Sequence, residues 1–166
     1  MANSILEFLK TLVGKHLNNS PSPIGRWLNG KLITIELGKA TIEYIVREEM
    51  TNPLGTMQGG VFATMMDDTL GVAVYSLGKD KLYVAVNFYL DYLEGVNAGE
   101  TVAVTAHILR EGNTMINVGL KLENKEGKLI ATGKCNLVSK TIEGLRLPRY
   151  EGMEKKYPGL EFQNKS

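Results

Sequence analysis

Residues 52 to 78 read Asn52-Pro53-Leu54-Gly55-Thr56-Met57-Gln58-Gly59-Gly60-Val61-Phe62-Ala63-Thr64-Met65-Met66-Asp67-Asp68-Thr69-Leu70-Gly71-Val72-Ala73-Val74-Tyr75-Ser76-Leu77-Gly78. A polar, glycine-bearing loop runs here into a helix expected from about Gln58 to about Leu77. The apolar residues Val61, Phe62, Met65, Met66, Leu70, Val72 and Val74 cover most of its circumference, as in a helix buried on nearly all sides. Gly59 and Gly60 stand at its start, where backbone N–H groups lack intrahelical partners and the helix dipole is positive, a place that welcomes an oxyanion. Asp67 follows about two turns later, and a carboxylate in an apolar helix is costly unless it is paired, hydrated or used. Gly60, Ala63, Thr64, Gly71 and Val74 flank it within about 60° on the helical wheel, so a sheet or a second chain can approach that line closely.

Upstream, Ile5, Leu6, Leu9, Leu12, Val13 and Leu17 recur at helical spacing behind the N-cap candidates Asn3 and Ser4. Ser20-Pro21-Ser22-Pro23 breaks this helix, a loop with Trp27 follows, and Lys31–Leu37 and Ala40–Val46 read as two strands about a turn at Gly38-Lys39. Downstream, Leu82–Leu90, Thr101–Arg110, Thr114–Glu123 and Leu129–Ser139 alternate as strands between glycine-bearing turns and read as a four-strand antiparallel meander. The expected fold is therefore α+β, an antiparallel sheet of about six strands wrapped around a long central helix. Residues 1–29 form an N-terminal helix and loop, 30–140 the main domain, and 141–166 a charged C-terminal arm or tail holding Pro148 and Pro158.

A chain of 166 residues with 43% hydrophobic content suits one domain. Nineteen basic against eighteen acidic residues leave a net charge of +1 with no long run of either sign, which argues against a nucleic-acid partner. The lone Cys135 has no internal partner for a disulfide and fits a reducing cytoplasm. The segment from Ile5 to Val13 carries charges and lacks a small-residue cleavage site, so it reads poorly as a signal peptide. No run approaches the roughly 18 apolar residues of a membrane span, so no membrane partner is expected.

Taken together, Asn52 through Gly60, Asp67, and Val102-Ala103-Val104-Thr105-Ala106-His107 after Ala98-Gly99-Glu100 resemble the PaaI-like branch of the hotdog-fold thioesterases over about residues 30 to 140. The resemblance implies an acyl-coenzyme A thioesterase that needs no cofactor. It puts the catalytic carboxylate at Asp67, the carbonyl-polarising N–H at Gly59 and a carbonyl-neighbouring amide at Asn52, with Gly60 and Thr64 beside the substrate. It further implies a homodimer, or a homotetramer of two dimers, in which the Asn52–Gly59 loop of one subunit faces Asp67 of its neighbour. Two positions depart from the pattern. Gln58 stands where the family commonly has histidine, and cannot take up a proton near neutrality. Ala85 stands where some members carry a water-holding serine or threonine.

Each of these residues also has a plainer reading. Gly59-Gly60 can simply open a helix, Asn52 before Pro53 can simply form a turn, and Asp68 equals Asp67 on burial alone, so only the motif register prefers Asp67. Gln58 is either ligand-facing or an N-terminal helix residue. His16 and His107 form no metal-like cluster with Cys135 or nearby acids, so no metal site is expected. Arg110, Lys79, Lys81 and Lys140 are candidates for coenzyme A phosphates, or merely solvated charges. Asp67 can act as general base or as nucleophile. A hydratase or dehydratase on this scaffold, or a non-catalytic acyl-coenzyme A binding or sensor protein, are the alternatives to hydrolysis.

Overall fold

A computed structural model describes residues 3–79 and 81–140; the arm or tail expected over 141–166 lies outside them. The described chain folds as helix α1 (Ser4–Lys10), helix α2 (Pro23–Leu28), strands β1 (Lys31–Glu36) and β2 (Lys39–Ile45), a 3₁₀ turn (Glu48–Met50), helix α3 (Gly59–Tyr75), and strands β3 (Leu82–Tyr92), β4 (Thr101–Glu111), β5 (Met115–Asn124) and β6 (Leu129–Lys140). The six strands form one antiparallel sheet in the order β1-β2-β4-β5-β6-β3.

Two details of the N-terminal region differ from expectation. Asn3 does cap α1, its Oδ1 accepting from Leu6 N at 3.1 Å, but the helix stops at Lys10 and the later apolar residues continue as turns. The Ser-Pro-Ser-Pro segment ends nothing; instead Ser22 caps and Pro23 opens α2, with Ser22 Oγ accepting from Gly25 N at 3.2 Å. Proline is well suited to a first helical turn, whose N–H groups have no partners anyway.

The β1–β2 hairpin closes in register Glu36↔Lys39, with Gly38 at φ 72°, a left-handed conformation that favours glycine. Alternation then delivers one face of each strand to the core. Ile42 and Tyr44 from β2, Val102, Val104 and Ala106 from β4, Ile116, Val118 and Leu122 from β5, and Cys135 and Leu137 from β6 are buried, as are Phe62, Met65, Met66, Thr69, Leu70 and Ala73 of α3.

The four-strand meander is corrected to three. β4, β5 and β6 follow one another, but β3 lies at the far edge, paired with β6 from Leu82↔Lys140 to Tyr92↔Ala131. Eight residues, 93 to 100, join β3 to β4. That length exceeds a tight hairpin and easily spans the roughly 14 Å of three strand spacings. The crossing is tied down by Leu93 N to Ile130 O at 2.9 Å and by the buried Val96, whose carbonyl accepts from Met57 N at 2.7 Å.

The second correction concerns α3. It lies across β2, β4 and β5 and only skirts β3, so it is not buried on all sides. Gly60, Asp67 and Gly71 are exposed along one line, with Ala63, Thr64 and Val74 half-buried beside them. The line of small residues is an open face of the single chain, next to the inner side of edge strand β3.

Candidate active site

The loop before α3 is built to hold one shape. Thr51 bridges to Met57 and Thr56 to Asn97, Gln58 N donates to Met50 O at 2.9 Å, and Met50 and Met57 are buried anchors. Asn52 uses its side chain within the loop: Oδ1 accepts from Leu54 N at 2.9 Å, and Nδ2 donates to Thr56 Oγ1 at 2.9 Å. This is the turn-forming geometry of the plainer reading, and it also fixes the amide beside the helix start. Leu54 at the tip is 87% exposed.

Gln58 is the N-cap of α3, and its Oε1 accepts from Val61 N at 3.2 Å. Of the two readings of this residue, the helix-terminal one is what the geometry displays. A side chain on Gly60 would bring a Cβ to 2.8 Å from that Oε1, the end of a flexible side chain, so glycine here leaves the cap undisturbed. The Gly59 and Gly60 amides precede the capped one, and no acid sits in the first turn to offset the positive end of the helix. Thr64 donates its hydroxyl back to Gly60 O at 2.7 Å and keeps its lone pairs for the open face. Tyr92, at the end of β3, donates to Gly59 O at 3.1 Å. Tyr92 lies beyond Leu90, where the expected strand ends; the continued alternation Phe88, Leu90, Tyr92 is the signal that carries the strand further.

The two adjacent acids part company. Asp68 is half-buried, accepts from Tyr44 Oη at 3.0 Å, and packs so closely on Gly25 of α2 that a Cβ there would lie 2.6 Å from its Oδ1. Burial pushes its pKa up to about 6, the Tyr44 hydroxyl pulls it down, and the negative Asp67 raises it again. Tyr44 and Thr69 share a hydrogen bond of 2.9 Å in the same cluster, and Thr69 donates to Met65 O at 2.9 Å, which makes Asp68 part of a structural network. Asp67 stands on the open face. Among the described residues no hydrogen bond or ion pair reaches its carboxylate. Although it has solvent access, the surrounding protein partly desolvates it and raises its pKa. Asp67 also acts on β6: burial, then its charge, pushes the Cys135 thiol up to about 11, so that thiol is inert.

One distance decides what these groups can do together. Asp67 is eight residues after Gly59 on a regular helix, an axial separation of about 12 Å. A base must come within about 3 Å of its proton, directly or through one water. Along the axis, the Gly59 amide and the Asp67 carboxylate of one chain are further apart than the direct hydrogen bonds of one carbonyl reach.

The remaining candidates scatter. Lys79, Lys81 and Lys140 gather near the start of β3, and Lys79 is paired with Glu111 at 2.9 Å. Arg110 pairs in register with Asn117 on the outer face of the sheet. His107 is exposed, and His16 Nδ1 lies 2.9 Å from Asn29 O. Ala85, in register with the buried Leu137, places a methyl on the inner face of β3. Among the described residues no three metal-ligating side chains converge, and no helix is long and apolar enough to cross a membrane.

Comparison with known proteins places the chain in a class. The model of the thioesterase superfamily matches residues 54–131, from the loop through α3 into β6. Acyl-coenzyme A thioesterase 13 of Homo sapiens is 36% identical over 104 residues, covering 62% of this chain and 74% of the relative. The solved structure of zebra fish thioesterase superfamily member 2 superposes with a TM-score of 0.68 at 28% identity, over 83% of this chain and 97% of that one. The E. coli PaaI protein shares the fold with a TM-score of 0.68 at 21% identity, over 72% and 86% of the two chains. The fold is the hotdog fold, and the chain belongs to the thioesterase superfamily.

Proposed function

We propose that this protein hydrolyses acyl-coenzyme A thioesters to the free acid and coenzyme A, working as a homodimer with composite sites. The observation that carries the composite site is the axial separation of about 12 Å between Gly59 and Asp67 in one chain. A second copy, turned so that its open α3 face meets the loop, brings its own Asp67 to the Gly59 donor. The exposed line Gly60–Gly71, the exposed Leu54 at the loop tip and the unpaired edge of β3 all support such a pairing.

In this reading the thioester carbonyl lies against the Gly59 N–H, with Gly60 N–H beside it. A preorganised donor of this kind is worth about 3 kcal/mol on the tetrahedral oxyanion. Asp67 of the second copy takes a proton from water, whose oxygen bonds to the carbonyl carbon. The raised pKa of Asp67 strengthens it as a base. The intermediate collapses with cleavage of the C–S bond, and the proton passes from Asp67 to the departing thiolate. A thiol leaves readily as thiolate, its ordinary pKa being about 8.5, so Gln58 in place of histidine does not block collapse. Gln58 caps the helix that presents the donors, Asn52 fixes the loop beside the carbonyl, and Gly60 and Thr64 give the acyl chain room along α3.

The thioesterase relatives support this reading over the alternatives. Ala85, which brings no hydroxyl to hold water, favours a binding protein instead, and turnover separates the two. A panel of acyl-coenzyme A esters of varied length and aromaticity, followed with a free-thiol reagent, is expected to show release that Asp67→Asn abolishes. Saturable binding with no thiol released from any ester overturns hydrolysis and leaves the acyl-coenzyme A binding protein.

A further inference from the structure

The Tyr92 hydroxyl makes a hydrogen bond that neither burial nor the helix requires. In the single chain Tyr92 is 53% exposed, so burial within the protomer does not oblige its hydroxyl to find a partner. The groups a helix start leaves unsatisfied are N–H groups, whereas Gly59 O is a carbonyl of the first turn that the helix ladder already uses. Yet Tyr92 Oη donates to Gly59 O at 3.1 Å, and its ring is wedged edge-on against Phe62, with centroids 5.4 Å apart and planes at 85°. The ring also closes on Gly59 itself: a Cβ there would stand 3.4 Å from the hydroxyl and 3.5 Å from the ring carbon that bears it.

The Gly59 carbonyl and the Gly60 N–H are the two ends of one planar peptide and point in opposite directions. A donor on the carbonyl therefore fixes the direction of the N–H, and hydrogen bonding at one end of a peptide polarises the other. At the first turn only the ladder bond to its carbonyl holds this peptide, whose flanking residues are both glycine, and the β3 terminus is a firm place for a second hold, since Leu93 N and Glu94 N both donate to Ile130 O.

We infer that Tyr92 is a positioning residue: from the end of β3 it holds the Gly59–Gly60 peptide in the orientation in which the Gly60 N–H, the second donor at the start of α3, faces the oxyanion. The inference rests on the thioesterase reading for its kinetic consequence and on geometry alone for its structural one.

Tyr92→Phe keeps the ring against Phe62 and removes only the hydroxyl, so the variant is expected to fold. With the best acyl-coenzyme A ester, kcat is expected to fall about tenfold, the scale of one lost hydrogen bond, with KM nearly unchanged. The thermal unfolding midpoint should stay at the wild-type value. In parallel, the Gly60 amide resonance in a nitrogen-15 spectrum should shift, and its hydrogen exchange should accelerate, in Tyr92→Phe relative to wild type. Wild-type kcat in a folded Tyr92→Phe overturns the inference, as does a kcat loss matched by a lowered unfolding midpoint and reversed by stabilising solutes. If the wild-type protein turns over none of the esters, the thioesterase reading falls by itself. The Gly60 amide then decides for Tyr92, and an unchanged resonance and exchange rate overturn its positioning role.

Discussion

Asp67 and Asp68 lie about 100° apart on α3, and that angle turns the first carboxylate to the open face and the second into the cluster of Tyr44, Thr69 and α2. Asp67→Asn is expected to reduce turnover by roughly the 10² to 10⁴ of a lost general base while circular dichroism stays unchanged; steady-state hydrolysis with full activity in this variant would refute the mechanism. Asp68→Asn should retain turnover and instead change how stability depends on pH. Burial raises the Asp68 pKa from 3.8 to about 6, so between those values the native protein keeps a proton that the unfolded chain has lost. The associated stability is fully present below the unfolded value and is lost as pH rises through about 6, by about 3 kcal/mol at most. Urea unfolding should therefore find Asp68→Asn gaining stability over wild type at about pH 7.5 and little at about pH 4; the same difference at both pH values would show that Asp68 is not desolvated. Gln58→His should keep activity within about tenfold of wild type, near 1.4 kcal/mol in barrier, because the donors belong to the backbone of the next two residues. A larger loss with the fold intact would assign Gln58 a contact that histidine cannot make.

At the level of elements, α3 and β3 carry the information that matters for function. The helix was legible from its apolar density, its glycine start and its acids, and its bounds were near those expected. Its open face was not, because a helical wheel shows which residues share a line and not whether anything covers that line. Gly71→Leu tests the face directly. A Cβ at Gly71 meets nothing within 4 Å in the single chain, and leucine is the better helix former by roughly 0.8 kcal/mol. The substitution should therefore leave the protomer folded yet abolish both self-association and turnover, read by light scattering and by thiol release. Unimpaired association and activity would show that neither substrate nor a second copy approaches this face. For the N-terminal elements, periodicity overran α1 and missed α2. The Ser-Pro pair that signals an interruption also supplies the N-cap and first residue of a helix, and only the docking of α2 against α3 decides between those uses.

At the scale of the whole molecule, the proposed composite site makes association a condition of activity. Light scattering at micromolar concentration is expected to show a dimer or a dimer of dimers, and Val86→Asp, at the exposed bulge of edge strand β3, to shift it toward an inactive monomer. An active monomer would sink the composite site. The sequence by itself determined the α+β class, six strands close to their observed bounds, and a helix that opens on two glycines, because alternation, helical periodicity and turn chemistry are local and each leaves a mark on neighbouring residues. It also pointed to Asp67 through the spacing of a motif. Only the tertiary structure decided that β3 crosses to pair with β6, that Tyr92 meets Gly59, and that Asp68 is held by Tyr44. Tyr44 and Asp68 are 24 positions apart along the chain, Gly59 and Tyr92 are 33 apart, and β3 reaches further still to meet β6. Contacts over such distances leave no local periodicity, and strand order is a choice among pairings of similar local chemistry, settled by how the whole sheet packs on α3.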